Sequence, residues 1–165
     1  MLVDLVHVET EDGIRLDGTL RRPTAGTVST WGVDAMILYH GVGENFYQPS
    51  LFDDYCDPLL ENGCAVLRVN NRGHDLMSRA VVRQTGQRQK AIRVGAAFED
   101  MNAVRCDFEA WIAFAHAAGY RRIGLWGHSL GAAKSIYYLA TCQSVQVHCV
   151  IAASPPRFSW TDFLD

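Results

Sequence analysis

Arg122-Ile123-Gly124-Leu125-Trp126-Gly127-His128-Ser129-Leu130-Gly131-Ala132 decides how this chain is read. Arg122 to Trp126 is a short apolar run, as expected of a strand buried on both faces of a parallel sheet. A helical stretch follows, to about Cys142. Between the two stands Gly127-x-Ser129-x-Gly131, so a strand turns sharply into a helix with a serine at the apex. Such a turn strains the backbone of its middle residue and crowds the neighbours, which is why glycine stands two positions to either side. The serine hydroxyl is lifted above the sheet at the N-terminus of the next helix, where developing negative charge is stabilised.

Other runs of the same character lie on both sides. Ala35 to Tyr39, Cys64 to Val69 and Val147 to Ala153 are short and apolar, and each reads as a buried strand. Helices are predicted over Gln48 to Glu61, stopping at Asn62-Gly63, and over Phe98 to Ala118, where Met101, Val104, Phe108, Trp111, Ile112 and Ala115 recur at helical spacing. Leu2 to Thr10 and Ile14 to Leu20 alternate around the turn signal Glu11-Asp12-Gly13, an antiparallel hairpin. Residues 75–97 read as irregular and basic. They hold Arg79, Arg83, Arg88, Lys90 and Arg93 with no acidic residue from Arg79 to Arg93, which reads as a solvated loop. Strands alternating with helices predict an α/β fold: a mostly parallel sheet flanked by helices behind an antiparallel N-terminal hairpin, in one domain over residues 1–165.

The composition agrees. Of 165 residues 48% are hydrophobic, enough for a core, and 15 Lys or Arg against 18 Asp or Glu give a net charge of −3. That acidity argues against a nucleic-acid binder. No run of about 18 apolar residues predicts a membrane span. Cys56, Cys64, Cys106, Cys142 and Cys149 show no CxxC spacing, and the first residues lack a secretory pattern; reduced, packing cysteines and a cytoplasmic location are the expectation.

Gly-His-Ser-Leu-Gly-Ala (127–132) occurs with His-Gly-Val-Gly-Glu-Asn (40–45) after the first core strand and Asn-Arg-Gly-His (71–74) after the second. In this order, at the ends of these strands, the motifs resemble the α/β-hydrolase superfamily, in its monoacylglycerol-lipase-like and serine-aminopeptidase-like branch. The resemblance covers the chain from the hairpin to Pro156. It implies a serine hydrolase cleaving a carboxylic ester or related acyl bond of a small molecule through an acyl-enzyme on Ser129, with no cofactor and no metal. The backbone N–H groups of Val42 and Leu130 would hold the oxyanion. Gly127, Gly131, Gly41 and Gly43 would shape the two turns. His40 is expected to be structural, Glu44 to brace its loop, His128 to pack away from the serine, and the Arg72-Gly73-His74 turn to anchor the site rather than react.

The resemblance also implies a triad running Ser, acid, His along the chain. Its acid follows the seventh strand, less often the sixth, and its base follows the eighth. Counting the hairpin as the first two, this sequence reaches the sixth strand at Val147 to Ala153. Asp162 and Asp165 stand where the less common acid would, and no histidine follows His148. The expectation is therefore the N-terminal portion of such a hydrolase, lacking the lid, the last two strands and the base. Two readings stay open: a serine hydrolase, or a non-catalytic remnant or part of an assembly. The sixth strand, with Val147, Val150 and Ile151, would offer an open edge for self-association.

Overall fold

The computed structural model describes residues 3–83, 86, 88–142 and 146–157. Strands β1 (Asp4–Glu9) and β2 (Arg15–Arg21) form the antiparallel hairpin, with Thr10 Oγ1 accepting the Ile14 N–H at 2.9 Å across its turn. Strand β3 (Ala35–Tyr39) is buried along its whole length. Period-2 alternation splits it: Ile37 and Tyr39 enter one core, Met36 and Leu38 the other. That is why its sequence is apolar at every position. Strands β4 (Ala65–Val69) and β7 (Ile123–His128) flank β3 in parallel, and β8 (Val147–Ala153) pairs in parallel with β7. The sheet runs β1-β2-β4-β3-β7-β8, with β2 antiparallel to β4.

Helix α1 (Asp53–Glu61) covers one face, where Phe52, Cys56 and Leu59 pack with Met36, Leu38, Val66 and Trp126. Helices α2 (Val104–Ala117) and α3 (Leu130–Thr141) cover the other with Phe108, Trp111, Ile112 and Tyr138. Tyr39 and Phe108 stack there, and the Trp111 indole N–H donates to the Asn70 carbonyl at 2.9 Å. All five cysteines are free.

The structure corrects the sequence reading in three places. Helix α1 begins at Asp53, not Gln48: Pro49 disfavours a helical conformation at Gln48, and Asn45 Oδ1 accepts the Tyr47 and Gln48 N–H groups in a competing turn. Helix α2 begins at Val104, not Phe98, after two short 3₁₀ turns (Ala96–Phe98 and Met101–Ala103), the second capped by Asp100. Residues 75–97 are not all irregular. They contain an antiparallel ribbon, β5 (Ser78–Val82) and β6 (Lys90–Val94), whose Ala80, Val82 and Ile92 pack on the core. Charged residues on the outward positions hid that alternation. Asp162 and Asp165 lie outside the described residues.

Candidate active site

Register assembles the site. Tyr39, the last residue of β3, pairs with Gly127 of β7, and His128 pairs with Ala153 at the end of β8. The segments that leave these strands, His40–Asn45 and Ser129, therefore emerge side by side at the carboxyl edge of the sheet. The Ser129 N–H donates to the Ala153 carbonyl at 2.9 Å, and its own carbonyl accepts the Ala132 N–H at 3.0 Å as α3 begins.

Ser129 has φ 52° and ψ −119°, a backbone conformation L-residues avoid. The glycines around it are required by contact. A Cβ on Gly127 would lie 2.2 Å from the Gly131 carbonyl oxygen, and one on Gly131 would lie 2.3 Å from that of Tyr39. Strand, turn and helix are pressed together at this point. The loop after β3 touches the serine, since a Cβ on Gly41 would come within 3.2 Å of the Ser129 Cβ. Val42 follows on the exposed tip of that loop, and Gly43 takes φ +67°. Leu130 is the first residue of α3.

His40 is buried beneath this loop. Its Nδ1 bonds to the Gly41 carbonyl at 2.8 Å and its Nε2 accepts the Asn71 N–H at 3.3 Å, which fixes the neutral Nδ1–H tautomer. Burial lowers its pKa to about 4. Glu44 Oε2 accepts the Gly41 N–H at 2.8 Å, and His128, expected only to pack, places Nδ1 3.6 Å from the same oxygen.

The Asn71-Arg72-Gly73-His74 turn is tied down on every side. Arg72 grips Asp107 with Nε and Nη2, and Asp12 with Nη1 and Nη2, linking α2 and the β1–β2 turn to the end of β4. Burial pushes the Asp107 carboxyl up, against the pull of Arg72. Burial also acts to raise Asp12, but the Arg72 guanidinium and the Thr10 hydroxyl hold it below the usual carboxylate range. His74 Nδ1 meets Asp75 Oδ2 at 2.9 Å, and Asp75 also accepts from Asn45 and Tyr47, both at 2.6 Å.

Sequence reasoning missed one group entirely. Lys134, on α3 five positions after Ser129, is buried and bonds to Asn71 Oδ1 at 3.1 Å and Glu99 Oε2 at 2.5 Å. A lysine in an otherwise apolar helical stretch was the only local signal. Among the described residues no side chain hydrogen-bonds to the Ser129 hydroxyl. His148 stands at the amino end of β8, far from the serine along the strand, with Nδ1 at 3.1 Å from the Gln146 carbonyl. Among the described residues no cluster of His, Cys, Asp or Glu could hold a metal ion, and no helix is long and apolar enough to cross a membrane.

A mixed sheet with an antiparallel N-terminal hairpin, helices on both faces and a strand–serine–helix turn defines the α/β-hydrolase fold. Residues 33–161 match the family model described as serine aminopeptidase, S33, and the chain belongs to that family. Among solved structures it is similar to the Pyrococcus furiosus esterase Pf2001 (TM-score 0.66, 21% identity), covering 94% of this chain and 53% of that one. Est1E from Butyrivibrio proteoclasticus, solved with ferulic acid bound, gives TM-score 0.65 and 18% identity over 91% of this chain and 52% of that one. The carboxylesterase CesB from Bacillus subtilis gives TM-score 0.58 and 17% identity over 94% and 44%. At these identities the likeness is one of fold, and the chain spans about half the length of these solved relatives. No curated protein matches the sequence.

Proposed function

We propose that Ser129 is the nucleophile of a serine hydrolase acting on a carboxylic ester or related acyl bond of a small molecule. The observation that carries this is the left-handed backbone of Ser129, wedged between Gly127 and Gly131 against the Gly41 turn. In the proposed step the Ser129 oxygen bonds to the acyl carbon, the alcohol leaves with a proton, and water then releases the acid. The N–H groups of Val42 and Leu130 are assigned to the oxyanion; the supporting arrangement is a turn beside Ser129 on one side and the first turn of α3 on the other.

The hydroxyl needs a base to take its proton. Since no described histidine bonds to it, a second reading concerns these 165 residues alone: a non-catalytic remnant, or part of an assembly in which the base comes from elsewhere. Loss of the base in such triads lowers turnover by roughly four to six orders of magnitude. The test is hydrolysis of a p-nitrophenyl ester by the chain and by Ser129→Ala, with and without added imidazole as a diffusible base. A Ser129-dependent rate that imidazole raises supports Ser129 as the nucleophile of these residues. Equal rates for both proteins under both conditions would sink the assignment of Ser129.

The β8 edge is assigned to self-association with a second copy of this chain, supported by the half-exposed Val150 and Ile151 on the last strand of the sheet. Its measure is the mass in solution: a monomer at every concentration overturns it, and Val150→Lys should shift a dimer towards monomer.

A further inference from the structure

We infer that the outer face of the β5–β6 ribbon is a binding site for a small amphiphile with a phosphate head on an apolar body. In the register of this ribbon Arg79 lies directly opposite Arg93, and both side chains are exposed. Like charges directly opposed across two strands destabilise the pairing unless something neutralises them. Nothing in the described protein does. Outside the ribbon, the six arginines from Arg15 to Arg105 are each in an ion pair with a carboxylate, while Arg121, Arg122 and Arg157 form none among the described residues. Among the described residues none of Arg79, Arg83, Arg88, Lys90 and Arg93 forms one, and no acidic residue occurs between Leu76 and Phe98. Five unpaired cations are thus concentrated on one ribbon of a chain whose net charge is −3.

The two arginines line a hollow of about 400 Å³ together with Met77, Ser78 and Phe98. Two guanidinium forks set opposite each other suit the several oxygens of a phosphate, which accepts bidentate hydrogen bonds. Met77, 67% exposed, and Phe98, 41% exposed, supply an apolar side that a bare inorganic anion would leave wet.

The ribbon also stands at the edge where Ser129 emerges. Ile14 bridges to Val82, and the Arg83 N–H donates to the Gly13 carbonyl at 2.8 Å. Because β2 runs antiparallel to β4, its first residues lie beyond the carboxyl end of β4. The ribbon is therefore anchored on the carboxyl side of the sheet, and it begins three residues along the chain from Asp75, whose N–H meets the Glu44 carbonyl at 3.2 Å. The site itself does not depend on any reaction at Ser129 and is measured without turnover.

The experiment is a calorimetric titration of the full chain with phenyl phosphate at physiological salt, alongside phenol, inorganic phosphate and phosphatidylglycerol vesicles. Saturable one-to-one binding of phenyl phosphate is expected, tighter than inorganic phosphate, with no binding of phenol. Arg79→Gln/Arg93→Gln should weaken it at least about tenfold, since two charge-assisted forks are lost. Arg79→Lys/Arg93→Lys should weaken it several-fold, keeping charge but losing the fork. Arg121→Gln, which removes an exposed arginine before β7, should leave it unchanged. The thermal midpoint, measured with and without phenyl phosphate, reports folding and binding in every variant. Absence of binding to the native chain overturns the site, as does equal weakening by Arg121→Gln, which would reduce the effect to net charge. Capture on vesicles without binding of phenyl phosphate would also overturn it, in favour of a membrane surface.

Discussion

Lys134 Nζ lies 2.5 Å from Glu99 Oε2 inside the protein, and the lysine also donates to Asn71 Oδ1 at 3.1 Å. Asn71 in turn gives its N–H to His40, whose ring holds the Gly41 carbonyl. A continuous polar path therefore runs from the middle of α3 to the loop that touches Ser129. Burial pushes the Lys134 ammonium below its usual range, against the pull of the Glu99 carboxylate. Taken singly, either ion would be an uncompensated buried charge.

Removing one partner is correspondingly costly. Lys134→Met or Glu99→Gln should each destabilise the fold by about 3–5 kcal/mol. The double variant should be more stable than the sum of the two losses implies, because neither charge is then left alone. Urea unfolding of the four proteins measures this. Additive losses would mean that the two side chains do not stabilise one another.

Strain at Ser129 makes a second, opposite prediction. Its φ of 52° costs an L-residue of order 1–3 kcal/mol, and glycine adopts such angles freely. Ser129→Gly should therefore raise stability by about 1 kcal/mol even after glycine's greater unfolded-state entropy is counted. Ser129→Ala, which keeps the Cβ and the strain, should not. Equal stability of the two variants would show that the turn is not strained.

The parts legible in the sequence share one property: the physics is local in the chain. Five consecutive apolar residues from Ala35 to Tyr39, too few for a helix of ordinary length, suit a strand covered on both faces, and that is how they are buried. Gly127, Ser129 and Gly131 mark a turn whose constraint is steric and short-range. The Asn62-Gly63 helix stop likewise holds, with Gly63 at φ +77°. What was not legible needs the fold. Lys134 meets Glu99 across 35 positions and Arg72 meets Asp12 across 60, distances along the chain that no window reads. The β5–β6 ribbon was obscured because its outward positions carry arginine, so the inward alternation of Ala80 and Val82 was outweighed by composition.

Glu44 offers a test of the loop without any need for turnover. It is the acceptor for the Gly41 N–H and stands 3.6 Å from His128 Nδ1. Glu44→Ala removes that acceptor, so hydrogen exchange at the Gly41 amide should accelerate by about tenfold, the worth of one hydrogen bond of about 1 kcal/mol or slightly more. Amides of β3, behind the loop, should exchange as before. Unchanged exchange at Gly41 would mean that the loop is held by the His40 contacts alone.

His40 and Asp75 divide the acid response of the protein between two pH windows. The His40 ring has its pKa lowered from 6.5 to about 4 by burial, so the folded state binds its proton less readily than the unfolded chain. Between these values the unfolded chain holds more protons, and stability must fall as pH drops through the window. A shift of this size corresponds to about 3 kcal/mol, present at pH 7 and lost by pH 4. For Asp75, burial acts to raise the carboxyl, but hydrogen bonds from Tyr47, Asn45 and His74 hold it below 3.8. Its contribution is present above that value and is lost only as pH falls further. Asp107, raised by burial, has the opposite sign just above 3.8, so the comparison is best made between variants rather than on one curve. His40→Gln should flatten the dependence of unfolding free energy on pH between 6.5 and 4 and leave the steeper fall below it. Asp75→Asn should do the reverse. Denaturant unfolding at a series of pH values reads both, and a His40→Gln curve parallel to the native one through the upper window would show that His40 is not buried neutral.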